Sequence, residues 1–409
     1  GRRMMEYTLI PKSKRGIQEG CRHSKDIKKA LWKQEKEWAE TSGALELSSQ
    51  MFADSSTTTT NTDTDDNGAQ KPNHAEILFT GTGSALPCKQ RNVTGIYVRT
   101  DNQKSMLLDT GEGTVGQLLR AKESTSWDVA AMQKVLRDIR LVWISHPHAD
   151  HHLGIIRLLA ERHALMGQQQ EPLLLMCPRN MFHFLDEYRR LDPRMQGTYI
   201  PFESGRVKGP TLGNHPEGRR ILAELEISKC VAIPVAHCQD SFAISIDCKS
   251  FGRLCYSGDC RPSRRFAEAG RFADILIHEA TFEDGMEQEA VLKRHSTVGE
   301  AFDIARQMKA RTLVLTHFSQ RYPRIPPISR KVEEETPQED AALKANSVVF
   351  AFDFMRLTPR NLSSAAMLTP ALRLLYPSKD DGDGDTPKVD PAVDSILATP
   401  GMFAVKGIL

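Results

Sequence analysis

One short stretch of the sequence contains four metal-ligand side chains within six residues: His146, His148, Asp150 and His151. The stretch follows an apolar segment, 139–144, that is typical of a buried strand, and it precedes a segment with leucines and isoleucines at helical spacing. His146 and His148, two positions apart in extended backbone, point in the same direction. Asp150 and His151, at the turn into the helix, can reach a second point. The stretch therefore predicts two metal ions about 3.5–4 Å apart, as in two-metal hydrolases.

Three further ligand-type residues follow apolar segments that are predicted strands. They are His237, Asp259 and His317, each two or three positions beyond the segment that precedes it. The predicted ligand set then has seven members: His146, His148, Asp150, His151, His237, Asp259 and His317. Imidazole and carboxylate ligands suit zinc. Because two ions must share few ligands, one carboxylate has to bridge them, and we predict that it is Asp259.

The hydrophobic pattern divides the chain into three parts. Residues 76–360 have globular patterning, in which strands come first and then alternate with helices, and this predicts an α/β domain with two sheets and helices outside them. Residues 1–75 include a tract rich in threonine and aspartate and are predicted to be a largely disordered linker or tether. Residues 361–409 are predicted to be a partly disordered C-terminal tail.

Composition limits the classes of partner. The 54 lysines and arginines nearly balance 52 aspartates and glutamates, so contact with nucleic acid requires a local basic patch. No apolar run approaches the roughly 18 residues of a membrane helix, and no membrane partner is expected. The eight cysteines form no CxxC pair, which favours a reducing, intracellular compartment.

Three segments resemble the metallo-β-lactamase fold: SHPHADHHLG at 145–154, YSGDC at 256–260 and THF at 316–318. The resemblance implies an αββα four-layer sandwich of two mixed sheets with flanking helices. It also implies two zinc ions per chain as cofactors.

Within that superfamily, residues 76–360 resemble ribonuclease Z, the tRNA 3′-processing endonuclease. The segment LPCKQRN at 86–92 fits the PxKxRN loop of that family, and HEAT at 278–281 and HST at 295–297 fit two more of its motifs. The segments THFSQRY (316–322) and VFAFDFM (349–355) are similar to the long eukaryotic form. The implied activity is zinc-dependent removal of the 3′ trailer from precursor tRNA, which leaves a 3′-hydroxyl for CCA addition. The implied location is the nucleus, the mitochondrion or both.

The resemblance also implies roles for single residues. Asp150 is expected to orient and deprotonate the attacking water, and His295, paired with Glu279, is expected to protonate the leaving oxygen. Four residues of the loop are expected to hold RNA near the cut: Pro87, Lys89, Arg91 and Asn92.

One departure concerns the tRNA-gripping arm, which short forms insert between their histidine and aspartate ligands. Only 21 residues separate His237 from Asp259, too few for an arm. This spacing resembles the C-terminal half of the long form. The expected partners are therefore precursor tRNA and a missing N-terminal half that carries the arm.

Two other functions stay open at this stage. A hydrolase of the same fold could act on small esters, thioesters or cyclic nucleotides, but such substrates need no phosphate-gripping loop at 87–92. A non-catalytic RNA-binding half would be expected to show gaps in the ligand set, and the sequence has none.

Overall fold

The computed structural model of the chain describes residues 6–8, 16–18, 74–88, 90–121, 129–167, 171–206, 215–321 and 347–367. Near the start of the chain, strands β1 (Glu6–Thr8) and β2 (Gly16–Gln18) pair antiparallel. The tract at 48–73 and the chain after residue 367 lie outside the described residues. The division into linker, nuclease domain and tail therefore stays a prediction.

The first of two large sheets has seven strands. They are β3 (Glu76–Gly81), β4 (Gly95–Arg99), β5 (Ser105–Thr110), β6 (Ile139–Trp143), β7 (Leu173–Cys177), β8 (Tyr199–Glu203) and β15 (Arg356–Leu357). Their order in the sheet is β15-β3-β4-β5-β6-β7-β8. Pairing is antiparallel from β15 to β5 and parallel from β5 to β8, so the sheet is mixed.

The second large sheet has six strands. They are β9 (Ile227–Pro234), β10 (Phe242–Cys248), β11 (Gly252–Tyr256), β12 (Ile275–Glu279), β13 (Thr312–Thr316) and β14 (Val348–Phe350). The order is sequential, with antiparallel pairing as far as β11 and parallel pairing from there to β14. Two mixed sheets confirm the predicted fold class.

Ten α-helices are described. They are α1 (Thr114–Ala121), α2 (Val129–Asp138), α3 (Ala149–His152), α4 (Gly154–Met166), α5 (Arg179–Leu191), α6 (Pro216–Glu224), α7 (Arg264–Ala269), α8 (Glu287–Lys293), α9 (Val298–Met308) and α10 (Leu362–Met367). Two 3₁₀ helices, Pro193–Met195 and Ser204–Arg206, lie on either side of β8. No helix within the described ranges is long and apolar enough to span a membrane.

Three buried apolar clusters account for the four layers. On β3, Ile77 and Phe79 belong to the cluster between the two sheets, together with Ile246 of the second sheet. The intervening Leu78 belongs to the cluster under the helices that cover the first sheet, which contains Leu118 of α1. A third cluster joins the outer face of the second sheet to α7 and α9. Strands covered on both faces explain why their sequences are apolar runs without clear alternation.

The sequence pattern did not predict β8 and α6, which lie beyond residue 191. Every residue of β8 is at least partly exposed, and Pro201 lies in its middle. Proline is tolerated in a strand at the edge of a sheet, which is where β8 lies. An edge strand with little buried surface has no strong hydrophobic pattern to detect.

Close backbone packing fixes the position of the histidine turn. A Cβ atom on Gly154, at the start of α4, would lie 2.2 Å from the carbonyl oxygen of Gly111. Only glycine allows this approach. The contact holds the turn after β6 against the end of β5.

Candidate metal centre

The seven predicted ligands come together where the strands of both sheets end. The turn after β6 carries four of them, and the chain beyond β9, β11 and β13 supplies one each: His237, Asp259 and His317. Their potential ligand atoms fall into overlapping groups in which all atoms lie within 4.8 Å of one another. The structure thus brings together residues up to 171 positions apart in the sequence.

The first group contains His146, His148 and His237. The Nε2 atom of His237 lies 3.1 Å from Nδ1 of His148. The Oδ2 atom of Asp259 lies 3.6 Å from Nε2 of His146 and 3.7 Å from Nε2 of His237.

The second group contains Asp150, His151 and His317. The Nε2 atoms of His151 and His317 are 3.1 Å apart, and Oδ2 of Asp150 lies 3.6 Å and 3.5 Å from them, respectively. Asp259 reaches this group as well, with Oδ2 at 3.2 Å from His151 and Oδ1 at 3.3 Å from His317. Its carboxylate therefore contacts both groups, as a bridging ligand must.

Hydrogen bonds on the outer ring nitrogens decide which nitrogens face inward as acceptors. The Nδ1–H of His151 donates to Asp109 at 2.7 Å, and that of His237 donates to the Arg294 carbonyl at 2.9 Å. The Thr281 hydroxyl donates to a carboxylate, so it accepts from Nδ1 of His317 at 2.9 Å. In each ring the other nitrogen, Nε2, is left with a lone pair directed at the centre.

The residues present fit a bound metal. Two lone-pair nitrogens 3.1 Å apart, as in His151 and His317, repel each other unless a proton or a metal ion lies between them. Nε2 of His146 and Oδ1 of Asp259 are buried without a hydrogen-bond partner among the described residues. Burial opposes the charged form of His151, yet the carboxylates of Asp259, Asp150 and Asp109 raise its pKa well above the usual value. The three carboxylates therefore favour positive charge at the His151 ring, whereas burial lowers the pKa of His146 and of His237.

Asp109, at the end of β5, is a site residue that the sequence reasoning missed. It is fully buried and has a φ of 58°, a strained conformation for a non-glycine residue. Besides His151, its carboxylate accepts hydrogen bonds from the Ser145 amide at 2.7 Å, the Ser145 hydroxyl at 2.8 Å and the Tyr256 hydroxyl at 2.8 Å. The available signal was an aspartate directly after an apolar strand segment, the same signal that identified Asp259.

We expect Asp109→Asn to weaken metal binding about 10–100-fold, the usual effect of removing an outer-shell carboxylate. An amide that donates to Nδ1 would reverse the tautomer of His151 and protonate its inward nitrogen. Isothermal titration of the metal-free protein with Zn2+ measures the change. Unaltered affinity would show that Asp109 supports only the fold.

A second chain of hydrogen bonds joins the centre to Glu279 and His295, the acidic and basic residues of the HEAT and HST segments. Oε1 of the buried Glu279 lies 3.0 Å from Nδ1 of His295, and its Oε2 accepts from Thr281 at 2.5 Å. The same threonine hydroxyl bonds to His317, and the rings of His295 and His317 stack with centroids 5.5 Å apart. Burial lowers the pKa of His295, but the Glu279 carboxylate outweighs it and raises the pKa to about 9.

The loop that follows β3 also contacts the centre. The amide of Ala85, a residue with a φ of 63°, donates to Oδ2 of Asp150 at 2.7 Å. Pro87 and its neighbour Leu86, which is 66% exposed, project from this loop into solvent. Lys89 lies outside the described residues.

Arg91 contradicts the expectation that it contacts RNA. Its side chain is buried, and the residue is only 2% exposed. The guanidinium donates to the Thr82 hydroxyl and the Ala351 carbonyl, both at 2.7 Å, and lies over the rings of Phe318 and Phe352. The sequence predicts an arginine on the surface because it shows only the charge, whereas the two rings and the Ala351 carbonyl come from distant parts of the chain.

Asn92 is likewise engaged within the protein. Its amide N–H donates to Asp353 at 2.7 Å and its side chain donates to the Glu112 carbonyl at 3.0 Å. Burial raises the pKa of Asp353 to about 6. Arg91 and Asn92 therefore hold the base of the loop. Of the predicted RNA-binding residues that the structure describes, Pro87 is the one that faces solvent.

We expect Arg91→Ala to lower the free energy of unfolding by about 3 kcal/mol, because it leaves the buried Thr82 hydroxyl and Ala351 carbonyl without their donor and removes a cation that lies over two aromatic rings. Urea denaturation measures the loss. Arg264→Ala is the matched control, since that side chain is 87% exposed, and its effect should stay within about 0.5 kcal/mol. Unchanged stability of Arg91→Ala, with a loss confined to RNA binding, would restore the original expectation.

The fold and this centre define the class of protein. The family model for the β-lactamase superfamily domain matches residues 104–318, and the chain belongs to this superfamily.

Within it, the chain is a homologue of long-form ribonuclease Z. It is 38% identical over 316 residues to "Ribonuclease Z, mitochondrial" of Drosophila melanogaster, a match that covers 76% of this chain and 38% of that protein. It is 34% identical over 355 residues to "tRNAse Z TRZ4, mitochondrial" of Arabidopsis thaliana, covering 74% and 36%. The crystal structure of a long-form RNase Z from yeast superimposes with a TM-score of 0.63 at 27% identity, covering 78% of this chain and 46% of that one. The chain thus spans less than half the length of these relatives.

Proposed function

We propose that this chain is the catalytic part of a zinc-dependent endoribonuclease that removes the 3′ trailer from precursor tRNA. The observation that carries the proposal is the hydrogen-bonded link from Glu279 and His295 through Thr281 to His317. It joins an acid–base pair to a centre rich in metal ligands, and that combination suits cleavage of a phosphodiester. The similarity to ribonuclease Z proteins supports the choice of RNA as substrate.

Two zinc ions are the proposed cofactors. His146, His148 and His237 would hold one ion, Asp150, His151 and His317 would hold the other, and Asp259 would bridge them. When bound, such ions lower the pKa of water and neutralise charge that develops on the phosphate.

Asp150 is the proposed general base. Oδ2 of its carboxylate accepts the Ala85 amide at 2.7 Å, which fixes the orientation of the group. The neighbouring His151 and His317 oppose the effect of burial, and the pKa of Asp150 lies well below its usual range. The carboxylate is thus ionised, as a group that orients the attacking water and accepts its proton must be.

His295 is the proposed general acid. As water attacks phosphorus, the bond from phosphorus to the 3′ oxygen of the tRNA breaks, and this oxygen takes a proton from the imidazolium. Glu279 accepts from Nδ1 of His295, which orients the ring and stabilises its protonated form. The products are a tRNA with a 3′-hydroxyl and a trailer with a 5′-phosphate.

The loop at 84–90 is the proposed RNA contact close to the cut. Pro87 faces solvent beside the centre, and Lys89 is the cation that we propose for the phosphate backbone. Arg91 and Asn92 would act indirectly, by holding this loop against Asp150.

The body of the tRNA needs a larger surface than this chain offers. The formal net charge of the protein chain is only +2, and affinity for RNA comes largely from contacts between basic side chains and phosphates. We therefore propose an N-terminal half with a tRNA-gripping arm as partner, in line with the share of the relatives that this chain leaves uncovered. The names of the relatives assign those proteins to mitochondria, and we propose a mitochondrial or nuclear location for this chain.

Mapping of cleaved ends tests the function. The zinc-loaded chain, alone and with an N-terminal half supplied in trans, is incubated with a 3′-extended tRNA, and both new ends are sequenced. A single cut after the discriminator base, with a 3′-hydroxyl on the tRNA, is expected. Mature tRNA carrying CCA is the control substrate. Hydrolysis of small esters without any RNA cleavage, in either arrangement, would favour a small-molecule hydrolase.

A further inference from the structure

Cys238 lies next to the ligand His237 and belongs to the first group of the centre. Its Sγ atom and the ligand nitrogens of His146, His148 and His237 all lie within 4.8 Å of one another. The cysteine backbone amide donates to the Ser241 hydroxyl at 3.1 Å, and Sγ lies 3.1 Å from the same oxygen. The side chain is half-buried, so small reagents and ions reach it.

A second observation points to a cation at this position. His146 is fully buried, and its Nε2 atom has no hydrogen-bond partner among the described residues. The other ring nitrogen, Nδ1, lies 2.9 Å from the Ser145 hydroxyl, which donates to Asp109 and therefore accepts from the ring. The lone pair of Nε2 is thus directed into the group that contains the sulfur.

The sulfur distinguishes the first group from the second. Cys238 shares no group with Asp150, His151 or His317, which offer only nitrogen and oxygen. Three imidazoles with a thiolate suit zinc and softer ions, whereas nitrogen with carboxylate is a harder set.

We propose that the Cys238 thiolate is a further ligand for a soft divalent cation held by His146, His148 and His237. The thiol proton passes to solvent as the metal–sulfur bond forms. The first group would then bind Cd2+ in preference to the second. This inference rests on the metal centre proposed above and is independent of the RNA substrate.

Spectroscopy of the metal-stripped chain tests the sulfur ligand directly. On titration with Cd2+ or Co2+, wild-type protein should develop thiolate-to-metal charge-transfer absorption in the ultraviolet. Cys238→Ser should lose this absorption and bind Cd2+ at least about tenfold more weakly, the lower limit for loss of an outer-shell group. Cys88→Ser, at the other half-buried cysteine of the described chain, is the matched control and should keep both the absorption and the affinity for Cd2+.

Alkylation of the unmodified chain provides a second measurement that needs no variant. Iodoacetamide should label Cys238 in the metal-free protein, and Cd2+ should slow that labelling at least about tenfold, with the label followed by peptide mass spectrometry. Cd2+ should leave the labelling of Cys88 unchanged. Three results would overturn the inference while leaving the metal centre intact. They are metal binding without thiolate absorption, absorption that persists in Cys238→Ser, and a rate of Cys238 labelling that Cd2+ does not change. Failure to bind any metal would overturn both.

Discussion

Asp259→Ala is expected to abolish cleavage of precursor tRNA and to release at least one of two zinc ions per chain. The carboxylate lies 3.2–3.7 Å from the inward nitrogens of both ligand groups, which is the position that a bridging ligand needs. Loss of the bridging ligand removes the link between the two groups and brings their nitrogens together without the negative charge between them. Metal analysis by mass spectrometry, on protein dialysed against zinc-free buffer, measures the ions retained.

A surface aspartate provides the comparison for this experiment. Asp186 on α5 is half-exposed, pairs with Arg189 at 3.1 Å and lies outside all the ligand groups. Asp186→Ala should retain both ions and the wild-type rate. Two retained ions and near-normal cleavage in Asp259→Ala would show that the carboxylate bridges nothing.

The convergence of the candidate ligands was predictable because topology and chemistry act together at the ends of strands. Parallel strands end at one edge of a sheet, and β6, β11 and β13 all have a parallel neighbour. Apolar runs mark such strands in the sequence. A histidine or aspartate within three positions of their ends is therefore directed to a shared edge, even when up to 171 positions separate the members.

The surroundings of the ligands were less predictable, because they depend on which groups meet in three dimensions. Asp109 follows an apolar segment of the sequence as Asp259 does, but only the folded chain shows that Ser145, Tyr256 and His151 converge on it. Arg91 illustrates the opposite error. Its acceptor at Ala351 lies 260 positions away, and local sequence does not distinguish a buried arginine from a solvated one.

Thr281 shows how a motif acquires a physical meaning once the structure is known. In the sequence it is the last letter of HEAT. In the fold its hydroxyl donates to Glu279 and accepts from His317, and it lies 3.2 Å from Nδ1 of His295. The threonine thereby couples the tautomer of a proposed metal ligand to the charge on the proposed acid–base pair.

His295→Ala is expected to keep its zinc and to lose on the order of 10²–10⁴-fold in the rate of RNA cleavage, the usual effect of removing a general acid. The side chain is 15% exposed and holds no position in either ligand group proposed for zinc, so the metal content should not change. The loss should appear in kcat, since the proton is needed only as the bond to the leaving 3′ oxygen breaks. Single-turnover cleavage of precursor tRNA measures the step directly.

The choice of leaving group separates general-acid catalysis from a structural role. An aryl phosphodiester releases a phenolate. Because a phenol is a far stronger acid than a ribose hydroxyl, the phenolate departs without a proton. His295→Ala should therefore hydrolyse an activated aryl diester at close to the wild-type rate, whereas Asp259→Ala should lose activity on both substrates. His183→Ala, on the exposed face of α5, is the matched histidine control and should be unaffected with either substrate. Equal losses of His295→Ala on RNA and on the aryl diester would show that the imidazole supports the centre and transfers no proton to the leaving group.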